Sequence, residues 1–193
     1  MPTRVSAWTV QCLVLAWGAA LAFAVPTGYL DWQPGLVAQA WRWWSAAWVH
    51  WSVQHLLANL AGVLVLAALG RAARLPRRAA LAWLLAWPLT HLALLMQADL
   101  LHYGGLSGVL HAGVAVAVLT LLFRTERSDR VWGLVIGLGL VLKIMLEQPL
   151  GPALRQVPGW GIAIAPLVHA SGALAGTLCA LLMQLQQRMA GRW

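Results

Sequence analysis

Ser107, His55, Asn59, His111 and His169 stand out as polar side chains in a chain otherwise dominated by apolar residues. A serine and a histidine brought together are the minimum for nucleophilic catalysis, because the imidazole can take the hydroxyl proton as Oγ attacks a carbonyl. Ser107 lies in the run Gly104-Gly105-Leu106-Ser107-Gly108, at the start of an apolar stretch. Backbone N–H groups at a helix start are unpaired and the dipole there is positive, which suits the oxyanion of a tetrahedral intermediate. His55 and Asn59, four residues apart, share a helix face and can add side-chain donors. The sequence places no carboxylate to complete a triad. Asp99, in the loop eight residues before Ser107, is the nearest candidate.

The elements that must position these groups are membrane helices. Of the 193 residues, 61% are hydrophobic and 9% charged, against roughly 25% charged in soluble domains. A helix crossing a bilayer core needs about 20 mostly apolar residues. Six stretches qualify, at approximately 7–25, 48–69, 79–97, 106–123, 131–147 and 165–187. The expected fold is thus an all-α, six-helix bundle, with residues 1–193 forming a single membrane domain. The connection over 26–47 holds Trp32, Trp41, Trp43, Trp44 and Trp48. Trp at this density reads as an interfacial element lying in the headgroup plane.

The net charge of +8 is a topology signal rather than a nucleic-acid signal. Arg4, the second loop (Arg71, Arg74, Arg77, Arg78), the fourth loop (Arg124, Arg127, Arg130), Arg188 and Arg192 fall on one side; Arg42 and Arg155 fall on the other. By the positive-inside rule both termini are cytoplasmic, and the lipid headgroups are the expected partner of the cations. Arg4, an apolar run and Ala22-Phe23-Ala24 imitate a signal peptide, but the run is long and the first helix is expected to remain uncleaved. At 1.5 Å per residue, His55 lies about 24 Å above Arg71, Ser107 about 25 Å above Arg124 and His169 about 22 Å above Gln184. One shared level, sunk below the outer surface of a ~30 Å core, implies a pocket open to the outside. Small residues one turn apart, Gly108 and Ala112 against Gly172 and Gly176, would let the fourth and sixth helices approach closely.

These residues have the spacing of the rhomboid family of intramembrane serine proteases. The resemblance rests on Trp41-Arg42, on His50, His55 and Asn59 in the second helix, on GLSG at 105–108, and on His169, Gly172 and Gly176 in the sixth. It implies that Ser107 is the nucleophile and His169 the general base of a dyad, with no cofactor. His55, Asn59 and the backbone N–H of Ser107 would form the oxyanion hole. Gly105 and Gly108 would support the site, Trp41-Arg42 would shape the first loop, and His50 would be structural or hold water near the site. The run from Gly105 to Gly113 is similar to the rhombosortase branch. That likeness implies substrates that are secreted proteins ending in Gly-Gly, a hydrophobic helix and a basic tail, processed at a bacterial inner membrane. Where a typical rhomboid has a Tyr stacked on the catalytic His, this chain has His111, expected to pack against His169 and modulate its basicity.

The remaining polar residues take plainer readings. Cys12 and Cys179 are small buried hydrophobes. His91 is a satisfied polar group between helices, and His102 is solvated, with contact to substrate as the alternative. Lys143 and Glu147 form a snorkelling i,i+4 pair, or mark a lateral opening between the second and fifth helices. A metal or transport site built from His50, His55, His111 and His169 would draw on three helices without an intramembrane carboxylate and leave GLSG unexplained. A proteolytically inactive relative that only binds transmembrane helices would be expected to lack the Ser or the His.

Overall fold

The structure is a computed structural model describing residues 5–97, 99–156 and 163–190, so Arg4 and Arg192 lie outside the described residues. Among these the chain forms seven α-helices: α1 Ala7–Ala22, α2 Arg42–Ser45, α3 Val53–Ala72, α4 Arg77–Leu89, α5 Ser107–Leu122, α6 Arg127–Glu147 and α7 Pro166–Ala190. By length and apolarity, Val53–Ala72, Arg77–Met96 and Pro166–Ala190 could each cross a membrane. The helices α1 and α5 are apolar but only 16 residues long. In α6, charged residues occupy both ends.

Local chemistry sets the boundaries. The Ser52 hydroxyl accepts a hydrogen bond from His55 N at 3.1 Å, an N-cap that starts α3 at Val53. Expected from about residue 48 and to carry His50, that helix instead begins five residues later, and His50 lies in the turn before it. The third stretch is also shorter as an α-helix, because Pro88 has no N–H to give the ladder. It ends at Leu89 and is followed by a 3₁₀ segment, Leu92–Met96.

Helix α5 is the axis of the bundle, with 12 of its 16 residues buried. It packs on α7, α6, α4 and α3, while α1 closes the far side against α3 and α4. Indoles fix these contacts. Trp8 Nε1 donates to Leu66 O at 2.8 Å, Trp83 Nε1 to Val109 O at 2.7 Å, and the two rings lie 4.5 Å apart. At Gly70 a Cβ would stand 2.1 Å from Trp8 Cδ1, so only glycine admits the indole. Helix α6 is the exception to this tight packing. Gly133 is its one buried residue, and the helix lies on the rim of the bundle.

The segment 26–47 differs from the flat interfacial element expected of it. It folds onto the bundle through short helical turns, and Trp32 is 1% exposed in a cluster with Leu94, Leu100, Tyr103 and Val168. Trp44 and Trp48 pack against Trp87 with centroids 5.4 and 5.3 Å away, the first tilted and the second edge-on. Only Trp41 among these five indoles is largely exposed. Trp43 Nε1 donates to Val37 O at 2.9 Å, whereas Trp32 Nε1 and Trp48 Nε1 are buried with no partner among the described residues. The connection between α6 and α7 carries a two-residue antiparallel pair, β1 Arg155–Gln156 with β2 Ala163–Ile164.

Candidate active site

The site is built where the first residue of α5 meets the first turn of α7. Tyr103 and Trp32 exchange backbone hydrogen bonds at 3.0 and 2.9 Å, and Gly105 N donates to Ala46 O at 2.9 Å. The loop before α5 is thereby tied to the first loop. Gly105 has φ +133°, a conformation that side chains rarely adopt, and a Cβ there would lie 2.9 Å from His55. The turn therefore requires glycine twice over, and it delivers Ser107 at the head of the helix.

Ser107 Oγ stands 2.8 Å from His169 Nε2. The close approach of α5 and α7 that this needs is built from glycine. A Cβ on Gly172 would meet Gly108 O at 2.1 Å and one on Gly176 would meet Ala112 O at 2.3 Å. Gly108 is equally confined, with Thr90 Cγ2 and Val168 Cγ1 each 2.6 Å from where its Cβ would be. The rings of His111 and His169 lie parallel, 4.3 Å between centroids and 8° between planes. His111 Nδ1 donates to Ser107 O at 2.6 Å.

His55 and Asn59 face Ser107 from α3 across the same cavity. His50 does not reach the cavity but orients Asn59. Its Nδ1–H donates to Trp48 O at 3.0 Å, which leaves Nε2 to accept from Asn59 Nδ2 at 3.0 Å. The cavity holds about 600 Å³, within the usual range for a binding site. Its walls are α3 on one side, from His55 to Leu66, and α6 on the other, from Gly139 to Glu147. Leu154, Ala163 and Ile164 of the connection between α6 and α7 complete the lining.

The first loop is held by a buried ion cluster. Arg42 donates to Asp31 Oδ1 at 3.2 Å, to Asp31 O at 2.6 Å and to Gly28 O. The second carboxylate oxygen of Asp31 takes His102 Nδ1 at 2.6 Å. His102 is thus both half-exposed, with its side chain 58% accessible, and anchored, which links the first loop to the segment leading into Ser107. Trp41 has no such role and projects outward. His91, buried between α4 and the first loop, donates Nδ1–H to Trp43 O at 2.8 Å, while its Nε2 has no partner among the described residues.

Two residues at the site go beyond the sequence reading: Tyr103, which it does not name, and Glu147, which it gives only as a pair with Lys143 or as a mark of the lateral opening. Tyr103, just ahead of the glycine turn, donates its phenol O–H to Gly105 O at 3.3 Å, and burial pushes that phenol well above its ordinary range. The other is Glu147, whose Oε2 lies 2.7 Å from His169 Nδ1. A carboxylate therefore does stand behind the histidine, and it is not Asp99, which is exposed. The Lys143–Glu147 pair exists at 2.5 Å, but its carboxylate turns inward instead of snorkelling. At 1.5 Å per residue Glu147 lies about 25 Å above Arg130, level with Ser107, but shared depth alone does not say that it meets His169.

Helices of this apolarity around a sunken serine–histidine pair define a membrane protein with the makings of a hydrolase site. Residues 37–186 match the Rhomboid domain, more than half of the chain, and the chain belongs to the rhomboid family, whose members are intramembrane serine proteases. No match was found among curated proteins.

Proposed function

We propose that this chain is an intramembrane serine endopeptidase in which Ser107 is the nucleophile and His169 the general base. The observation that carries the reading is the 2.8 Å contact of Ser107 Oγ with His169 Nε2 at a cavity lined by α3 and α6. Six segments cross a bacterial inner membrane, α1, α3, α4, α5, α6 and α7, with both termini cytoplasmic and the cavity toward the periplasm. The whole of 1–193 acts as one domain in contact with lipid. A substrate's transmembrane segment enters between α3 and α6, unwinds in the cavity, and presents a scissile carbonyl to Ser107. Unwound backbone is tolerable at that depth because the cavity is lined by protein and offers polar groups at Ser107, His55 and Asn59. His55, Asn59 and the Ser107 N–H receive the oxyanion. Acyl-enzyme is resolved by water or, if the sortase-like likeness extends to chemistry, by another nucleophile.

The substrate class supported by the Gly105–Gly113 run is a secreted protein with a C-terminal Gly-Gly, a hydrophobic helix and a basic tail. The alternative is a general rhomboid protease acting on single-pass membrane proteins, which the family fits equally. Co-expression with a reporter bearing the Gly-Gly, helix and basic-tail terminus separates them. Processing is expected with the native chain and lost with Ser107→Ala and with His169→Ala. Processing that persists in either variant overturns the protease assignment, and cleavage of generic single-pass reporters alone leaves only the alternative.

A further inference from the structure

Glu147 is the charged group at the site that a serine–histidine pair leaves unused. It closes α6, where the helix dipole is negative and disfavours a carboxylate, and its side chain is only 16% exposed. Helix-local chemistry gives no reason for an acid at this place. Its two oxygens are instead divided between two cations or potential cations, Oε1 to Lys143 Nζ at 2.5 Å and Oε2 to His169 Nδ1 at 2.7 Å.

His111, Glu147 and His169 offer donor atoms within 4.8 Å of one another, which invites a metal reading. The ring geometry opposes it. An imidazole nitrogen donates in its ring plane, and the rings of His111 and His169 are stacked, 8° from parallel with centroids 4.3 Å apart, so their in-plane lone pairs do not converge on one ion. His111 Nδ1 is also committed to Ser107 O. Of the two histidines, the carboxylate bonds only to His169, its other oxygen being held by Lys143. Around that imidazole stand Glu147 and Lys143 from α6, Ser107 and His111 from α5, and His55 from α3. Glu147 is the one anion among them.

We propose that Glu147 is a positioning residue completing a Ser107–His169–Glu147 relay, and that Lys143 tempers its charge. The proposal rests on the proteolytic reading above. By accepting from Nδ1–H, Glu147 holds His169 in the tautomer whose Nε2 lone pair faces Ser107. As Oγ bonds to the carbonyl carbon, the π pair moves to the oxyanion and the Oγ proton passes to Nε2. The imidazolium keeps its Nδ1 proton against the ionised carboxylate, which is never protonated. Collapse breaks the C–N bond and the Nε2 proton leaves with the amine. Water then repeats the sequence on the acyl-enzyme, and His169 returns neutral.

The test is the rate at which a fluorophosphonate probe labels the purified full-length protein in micelles, followed against pH. Glu147→Gln keeps volume and removes charge. It is expected to slow labelling by at least about tenfold, the corresponding change in a soluble triad costing ~10⁴ in kcat, and to lower the pH of half-maximal rate. Lys143→Met is expected to raise that pH, because the carboxylate then acts on His169 unopposed. The half-maximal pH does not depend on how much of the variant is folded, so simple destabilisation cannot imitate the opposed shifts. A half-maximal pH unchanged in Glu147→Gln overturns the proposal, whether or not the amplitude falls, provided that Ser107→Ala abolishes labelling. Labelling that survives Ser107→Ala overturns the proteolytic reading instead.

Discussion

An asparagine amide can present either its oxygen or its nitrogen to a pocket, and at Asn59 the choice is made by His50. Because His50 Nδ1 is spent on Trp48 O, its Nε2 can only accept, so the Asn59 amide must turn its nitrogen toward it. One N–H is used there and the other is free to serve the cavity, beside His55, whose ring lies 4.6 Å from that of His50. If Asn59 stabilises an oxyanion, its effect belongs to the transition state. Asn59→Ala is therefore expected to lower kcat by about 10²-fold, with KM little changed. His50→Phe, which removes the orienting acceptor and the bond to Trp48 O but leaves the Asn59 amide in place, is expected to cost less. Steady-state cleavage of the reporter in proteoliposomes measures both, and a raised KM at constant kcat for Asn59→Ala would assign it to substrate binding instead.

At the scale of helices, the site exists because α5 and α7 touch backbone to backbone. A methyl group at 176 would sit 2.3 Å from Ala112 O, which is not the tip of a flexible side chain and cannot step aside. Gly176→Val is expected to cost about 1–3 kcal/mol through overpacking and to part Ser107 from His169, so activity falls further than the melting temperature in detergent. Gly139→Ala is the contrast, with open space where its Cβ would go, and is expected to leave stability unchanged or raise it by up to ~1 kcal/mol. A Gly139→Ala loss as large as that of Gly176→Val would mean that helix flexibility, not contact, is what the glycines supply. This spacing was legible in the sequence because close approach is a property of residues one turn apart. So were the helices themselves, from apolar length alone. The Glu147–His169 contact was not, because an 18-residue loop separates α6 from α7 and nothing in its composition says that their ends meet. The burial of Trp32 was missed for a similar reason: an indole suits an interface and a protein core equally well, and only its partners Leu94, Tyr103 and Val168 decide between them.

Across the whole molecule the burial is lopsided. Helix α5 is enclosed on nearly every face while α6 buries only Gly133, so the wall of the cavity formed by α6 is its least secured side and the one a hydrophobic substrate segment would reach from the bilayer. Glu147 and Lys143 stand on that wall, at the end of α6 opposite Arg127 and Arg130. Arg placement predicts which end of the bundle faces out, a prediction that labelling can test without reference to activity. Cys12 and Cys179 are 2% and 5% exposed, so the native thiols give little background to a membrane-impermeant maleimide. Ala38→Cys places an exposed thiol in the first loop and Thr125→Cys one in the loop between α5 and α6. With the charged loops cytoplasmic, Ala38→Cys is expected to label in intact spheroplasts and Thr125→Cys only after lysis. The reverse pattern would put Ser107, His169 and Glu147 near the cytoplasmic face, where a protein already exported could not reach them. A secreted substrate would then be excluded whatever the chemistry of the site.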